Sequence, residues 1–193
     1  MVTLIAAAAA WALPPADAAW ESLQDKPVPI ECAAHAGTTW CRSMGVLAAP
    51  VSAVTESLKD MANSADKFDS IVTIDVLSGD ALRVVLDFPP LLSDRDYVAK
   101  YVQREDPGGV QVFAWSSAAH PDAPPADGIV RLPEFAGEWR LKPVGETTHV
   151  TYLWHAEIAG SFPGWALPIA RKKAGHEALK DLAKVNGAAL SVP

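Results

Sequence analysis

The order of patterned segments predicts an α+β domain: a hairpin, a helix, a run of about six strands and a long terminal helix. Two observations carry that reading. Four β-rich runs, "SIVTIDVL", "ALRVVLDF", "DYVAKYVQRE" and "VQVFAWSS", follow one another as an antiparallel meander. They are broken at Ser78-Gly79-Asp80, at a proline loop and at Asp106-Pro107-Gly108-Gly109. After Pro168 the periodicity becomes helical, continues to about Val185 and stops at Asn186-Gly187. With 193 residues, half of them apolar and 20% charged, the chain has the make-up of one globular domain rather than of a disordered tail.

The elements follow in order. Residues 1–18, "MVTLIAAAAAWALPPADA", are apolar from Val2 to Leu13, break at Pro14 and Pro15, and end in a small-x-small triplet, as a secretory signal does. They lack the usual basic start, and an alanine-rich first helix lying on the domain is the other reading. The run is too short for a comfortable membrane span, which takes about 20 residues. The domain itself is expected over 19–193.

In "VPIECAAHAGTTWC" two apolar flanks fold back about Ala36-Gly37 as a tight hairpin. That register sets Cys32 opposite Cys41 at a non-hydrogen-bonded pair, where side chains approach most closely. A disulfide fits an exported protein, and two buried thiols fit equally well. The expected location is periplasmic or secreted, with the cytoplasm as the alternative.

Next, "APVSAVTESLKDMANS" spaces Val51, Val54, Leu58 and Met61 as an amphipathic helix with Pro50 in its first turn. After the meander, "HPDAPPAD" reads as a surface loop, "GIVRL" and "GEWRLKPV" as short strands, and "TTHVTYLWHAEI" as a longer one in which Val150, Tyr152 and Trp154 alternate with Thr151 and His155. On the terminal helix, Lys173, Glu177, Lys180 and Lys184 fall opposite Ala170, Ala174, Ala178, Leu182 and Val185. An inner stripe this small either lets a backbone approach closely or leaves room for an occupant. Gly175 costs about 1 kcal/mol in mid-helix relative to Ala, without a compensating contact visible in the sequence.

Sixteen Lys plus Arg against 23 Asp plus Glu leave a net charge of −7. No basic face is available for a nucleic-acid backbone, so nucleic acid is set aside. There is no CxxC, no HExxH, no glycine-rich phosphate loop and no nucleophile-base-acid set, so neither catalysis nor a cofactor nor a metal is expected. Arg95 and Asp96 at a strand start read as a structural pairing.

Several short motifs together resemble the steroidogenic acute regulatory protein-related lipid transfer family, the START domains. They are Ser93-Asp94-Arg95-Asp96-Tyr97-Val98, Gly128-Ile129-Val130-Arg131, Trp139 with Leu141 and Pro143, Val150-Thr151-Tyr152, and Gly160-Ser161-Phe162-Pro163-Gly164-Trp165. Each is weak alone; their order and spacing over nearly the whole chain after residue 18 carry the resemblance. It implies a helix-grip fold, a curved antiparallel sheet wrapped around a long C-terminal helix with a lipid cavity between them. The usual Gly-Gly before the last helix is Ala159-Gly160 here. In the steroidogenic branch an acidic and a basic residue meet in the cavity. The acidic position falls on Asp87, but the basic one falls on Tyr101, so that ion pair cannot form. Strand alternation, moreover, turns Asp87 outward, opposite to Leu82, Val84, Leu86 and Phe88, unless a bulge at the strand end reverses it.

The resemblance places Leu91 and Leu92, in the loop from Phe88 to Asp94, at the cavity mouth beside the last helix, as a gate that touches a membrane. The expected ligand contacts are Asp87, Leu91, Leu92, Tyr97, Tyr101, His155, Trp165, Ala170, Ala174 and Ala178. Tyr97 and Tyr101 share an inward parity on their strand, and Asp87 and His155 are the other polar candidates. The implied function is binding of a sterol-like or long-chain lipid by a monomer that transfers it through transient contact with a membrane surface or a carrier protein. The alternatives are a polyketide aromatase/cyclase-like enzyme of the same superfamily and a ligand-free partner-binding domain.

Overall fold

The structure, a computed structural model, describes residues 12–88, 92–159 and 162–193. Leu91 and most of the apolar N-terminal run lie outside the described residues. Eleven strands form one sheet: β1 Glu21–Gln24, β2 Ile30–His35, β3 Thr38–Leu47, β4 Ile71–Val76, β5 Ala81–Leu86, β6 Arg95–Asp106, β7 Val110–Ser117, β8 Val130–Arg131, β9 Phe135–Val144, β10 Thr147–Ala156 and β11 Leu190–Ser191. Among the described residues two α-helices complete it, α1 Val51–Lys59 and α2 Leu167–Val185, with a 3-10 helix at Met61–Lys67 and another at Gly164–Ala166.

The main path runs β1-β2-β3-β10-β9-β7-β6-β5-β4, with β11 on β3 and β8 on β6. Among the described residues all pairings are antiparallel except β6 with β8. Only one step of the main path joins strands distant in sequence, β3 to β10, and it puts the N-terminal hairpin beside the last long strand. The four-run meander is β4 to β7. "GIVRL" contributes only the two-residue parallel strand β8, and β1 and β11 are too short to show alternation in the sequence.

The first hairpin turns at Ala36 and Gly37, both at positive φ, as a two-residue turn between right-twisted strands requires. Cys32 is registered against Cys41, and the two are joined as a disulfide. The first helix is shorter than its apolar spacing suggests. It ends at Lys59, and the chain continues as the 3-10 helix, in a stretch where the Asn63 side chain donates to Asp60 Oδ1 at 2.6 Å. Short polar side chains of this kind compete with α-helical backbone bonding.

The packing of α2 positions the site. Leu179 and Leu182 are fully buried and Ala183 nearly so. The helix lies against β1, β2, β3 and β10, and among the described residues its backbone makes no close approach to β4 to β7 or β9. At Gly175 the helix comes too close for a side chain: a Cβ there would stand 2.6 Å from Trp154 Cη2 and 3.0 Å from Ile30 Cδ1. This is the compensating contact that the sequence did not reveal. The gripping edge of the helix is thus Gly175, Leu179, Leu182 and Ala183, rotated from the alanine stripe.

Arg95 and Asp96 do not pair with each other, because consecutive strand residues point to opposite faces. Asp96, fully buried, accepts from Arg83 Nε at 2.7 Å and from Arg131 Nε and Nη2 at 2.6 and 2.9 Å. Arg95 lies over the Phe88 ring, 4.3 Å from its centroid, and donates to the Ser93 carbonyl. On the outer face of the sheet Trp40, Ala136 and Leu153 form a small second core covered by Leu13 and Trp20.

Candidate functional site

Half of the sheet is gripped by α2 and half is not, and a cavity of about 580 Å³ lies in the difference. That is ample for a small apolar ligand, since such pockets run from about 300 to 1,000 Å³. Its floor is aromatic. Tyr97 and Tyr101 on β6, Trp115 on β7, Phe135 and Trp139 on β9, and Tyr152 and Trp154 on β10 all line it. Within each strand the paired residues are two or four apart, the spacing that puts side chains on one face.

The rings form a continuous tier. Tyr97 stacks on Phe135 at 3.9 Å between centroids, and Trp115 stands between Tyr101 at 6.0 Å, Phe135 at 6.2 Å and Tyr152 at 5.7 Å. Tyr152 in turn lies 4.3 Å from Trp139 and 4.9 Å from Trp154. Gly137 on β9 permits this, because a Cβ there would meet Trp115 Cζ2 at 2.5 Å and the Leu153 carbonyl oxygen at 2.3 Å.

The roof is the free edge of α2, with Ala170, Ala174 and Ala178 facing the cavity alongside Glu177 and Asp181. Phe88, Leu92, Phe162, Trp165 and Ile169 also line it. Trp165 is 76% exposed and Ile169 59%, so this end opens to solvent through apolar side chains. Phe88 and Phe162 meet edge to face at 6.5 Å, joining the loop after β5 to the segment before α2.

Polar groups inside are few. The Tyr97 and Tyr101 hydroxyls approach to 3.5 Å. Burial raises both, Tyr97 well above the usual phenol value and Tyr101 to about 12, and it raises Tyr152 too. All three are therefore neutral hydrogen-bonding groups at physiological pH and not bases. Trp115 Nε1 is buried without a hydrogen-bond partner. Asp181 is fully buried; its Oδ2 accepts from the Asp69 N–H at 3.0 Å and its Oδ1 has no partner. Burial pushes its carboxyl above the usual range. Among the described residues no group of three or more His, Cys, Asp or Glu is arranged to hold a metal ion.

Of the residues singled out from sequence, Asp87, Leu92, Tyr97, Tyr101, Trp165, Ala170, Ala174 and Ala178 line this cavity. Asp87 does so from just past the end of β5, where its N–H donates to the Ser70 carbonyl at 3.0 Å; the strand's alternation no longer governs it. His155 is a correction. It takes the parity opposite to Trp154, lies tilted with its ring 5.5 Å from that of Trp40 on the outer face and contacts the Thr39 carbonyl through Nδ1 at 3.1 Å. Sequence reasoning passed over Trp115, Phe135, Trp139, Tyr152, Trp154 and Asp181. The alternation of Tyr152 and Trp154 was a signal for the floor. Nothing local marked Asp181, a charged residue in a helix rich in them.

No family model matches the chain. An uncharacterized protein of Pseudomonas aeruginosa is 35% identical over 81 residues, a match that covers 42% of this chain and about 40% of the length of that relative. Solved structures match over far more of the chain. A STAR-related lipid transfer protein from Xanthomonas axonopodis superposes with a TM-score of 0.76 at 22% identity, covering 87% of this chain and 98% of that one. Human StAR-related lipid transfer protein 5 gives 0.81 at 15% identity over 89% and 88%. An aromatase/cyclase from a Streptomyces species gives 0.50 at 17% identity over 77% and 91%. The antiparallel sheet, the long C-terminal helix and these superpositions together establish that the chain has the helix-grip fold of the StAR-related lipid transfer domains.

Proposed function

We propose that the protein binds a hydrophobic lipid, sterol-like or long-chain, in the aromatic cavity and transfers it between membranes or carriers. The observation that carries this is the cavity itself: about 580 Å³ of space between α2 and seven stacked or neighbouring rings, lined mostly by apolar side chains. Burying about 15 CH₂ equivalents there gains on the order of 12 kcal/mol before the costs of association. A void of this size left empty forgoes packing that a filled core would have.

Transfer needs an exit onto an apolar phase. Leu92, Trp165 and Ile169 at the open end supply an apolar rim, and Arg171, Lys172 and Lys173 follow immediately on α2. This arrangement suits transient contact with a membrane surface or an apolar carrier. The Cys32–Cys41 disulfide fits an oxidising compartment, periplasmic or extracellular, in keeping with a cleaved N-terminal segment.

Organic extraction of the purified protein, followed by mass spectrometry of the extract, tests the binding step. A stoichiometric hydrophobic molecule is expected. Failure to recover one, together with failure to take one up from vesicles of bacterial lipid, defeats the reading. A cyclase is the second reading, favoured by the ring-lined floor, the hydroxyl pair of Tyr97 and Tyr101 and the fold shared with the aromatase/cyclase. Chemical turnover of a bound polyketide mimic, rather than its unchanged release, would favour it.

A further inference from the structure

We infer that Asp181 is the head-group acceptor of the cavity, so that the ligand it takes carries a hydrogen-bond donor, a hydroxyl or an amine, and not an anionic head. The inference rests on the proposed hydrophobic-ligand binding and adds the polar specificity of the same site.

Asp181 carries an unsatisfied oxygen. Asp181 lines the cavity, is fully buried, and uses Oδ2 for the Asp69 N–H while Oδ1 has no hydrogen-bond partner. Buried carboxylate oxygens are nearly always hydrogen-bonded, and an orphan is costly unless something fills its position. The nearby lysines do not fill it. Lys180 and Lys184 each bond the Asp69 carboxylate at 3.0 Å on the exposed side of the helix. A ligand donor that reached the inner end of the cavity, where Asp181 lines it, would supply the partner that Oδ1 lacks.

Charge along α2 gives the direction. Of the side chains that line the cavity, the cations Arg171 and Lys173 lie toward the start of the helix, and the acids Glu177 and Asp181 lie further along. From Ile169 at the open rim to Asp181 is twelve residues, about 18 Å of helix. An anionic head carried to the inner end would face two carboxylates, and the lysines that attract Asp181, Lys180 and Lys184, make their direct contacts with Asp69 instead. A hydroxyl or ammonium would instead find an acceptor already desolvated, where a hydrogen bond to a charged group is strongest.

The test uses the delipidated full chain and three probes with the same tail, dodecanol, dodecylamine and dodecanoic acid. Binding is followed by the fluorescence of Trp115, Trp139 and Trp154, in enough salt to screen the net charge of −7. The alcohol and the amine are expected to bind about tenfold or more tighter than the acid. Asp181→Asn keeps a carbonyl oxygen for the Asp69 N–H and presents its NH₂ to the cavity, so the gap should close or reverse. Equal affinity of the wild type for all three probes overturns the inference and leaves hydrophobic binding intact. An undiminished gap in Asp181→Asn overturns it too. Binding of none of the three sinks the hydrophobic-ligand reading as well. Should the variant fail to fold, the ratio measured on the wild type decides alone.

Discussion

Gly175 of α2 sits against the ring of Trp154 so closely that a single added methyl carbon would stand 2.6 Å from Cη2. The contact fixes how near the helix comes to β10, and thereby where the unfilled half of the sheet begins. Gly175→Ala should reverse the usual sign of a glycine-to-alanine change in a helix. Propensity alone offers a gain of about 1 kcal/mol. Overpacking against a ring already stacked on Tyr152 costs about 1 to 3 kcal/mol. A net loss in chemical denaturation is expected, and a more stable variant would show that the helix can lift freely.

Ala178→Phe puts a ring into the cavity from a half-buried position on its roof. Uptake of a hydrophobic ligand should fall by about tenfold or more, with a loss of stability of no more than about 3 kcal/mol. Full loading of this variant would place the ligand elsewhere.

Trp165→Ala and Leu92→Asp alter the open end without touching the core. Trp165 is mostly exposed, so its loss should change the melting temperature little, as surface substitutions stay within about 0.5 kcal/mol. Exchange of a fluorescent lipid between vesicles should nonetheless slow several-fold in both variants. Unchanged exchange rates would remove this rim from the path.

The disulfide closes a short loop, its cysteines nine residues apart in sequence. Loop entropy predicts a loss of about 2 to 3 kcal/mol for Cys32→Ser with Cys41→Ser. For a chain of this size that is a drop in melting temperature of roughly 5 to 10 °C. Ala36, at a φ of 49°, precedes Gly37 in the same turn. Ala36→Asn should raise stability by about 1 kcal/mol, because Asn-Gly is favoured where both turn residues take positive φ.

Two buried aspartates should shape the acid limb of the stability curve in opposite senses. Burial raises Asp96, but the hydrogen bonds from Arg131 and Arg83 outweigh it and hold the group below the usual carboxylate range. Its contribution is present above the unfolded value near about pH 3.9 and is lost as pH falls through the lower folded value. Asp96→Asn should cost about 3 kcal/mol at neutral pH and flatten that limb. Asp181 is raised by burial, so its ionised form is a cost at neutral pH that is relieved as pH falls through the folded value toward about 3.9. Asp181→Asn should therefore leave neutral-pH stability unchanged or higher, as a denaturant series in pH would show.

What could be read from the chain alone was whatever has a local period or a local pairing. The span of α2, the order of the meander, the register of Cys32 against Cys41 and the inward parity of Tyr97 and Tyr101 all follow from spacing within one or two elements. The spacing of Tyr152 and Trp154 was a signal of the same local kind, but the floor they share with Trp115, Phe135 and Trp139 was not assembled from it. What remained hidden depends on contacts between distant segments. The pairing of β3 with β10, the outward turn of His155 onto Trp40, the need for Gly175 and the burial of Asp181 beneath the segment at Asp69 are all of this kind. Periodicity says which residues share a face, but only the packing of one face on another decides whether that face is filled, gripped or left hollow.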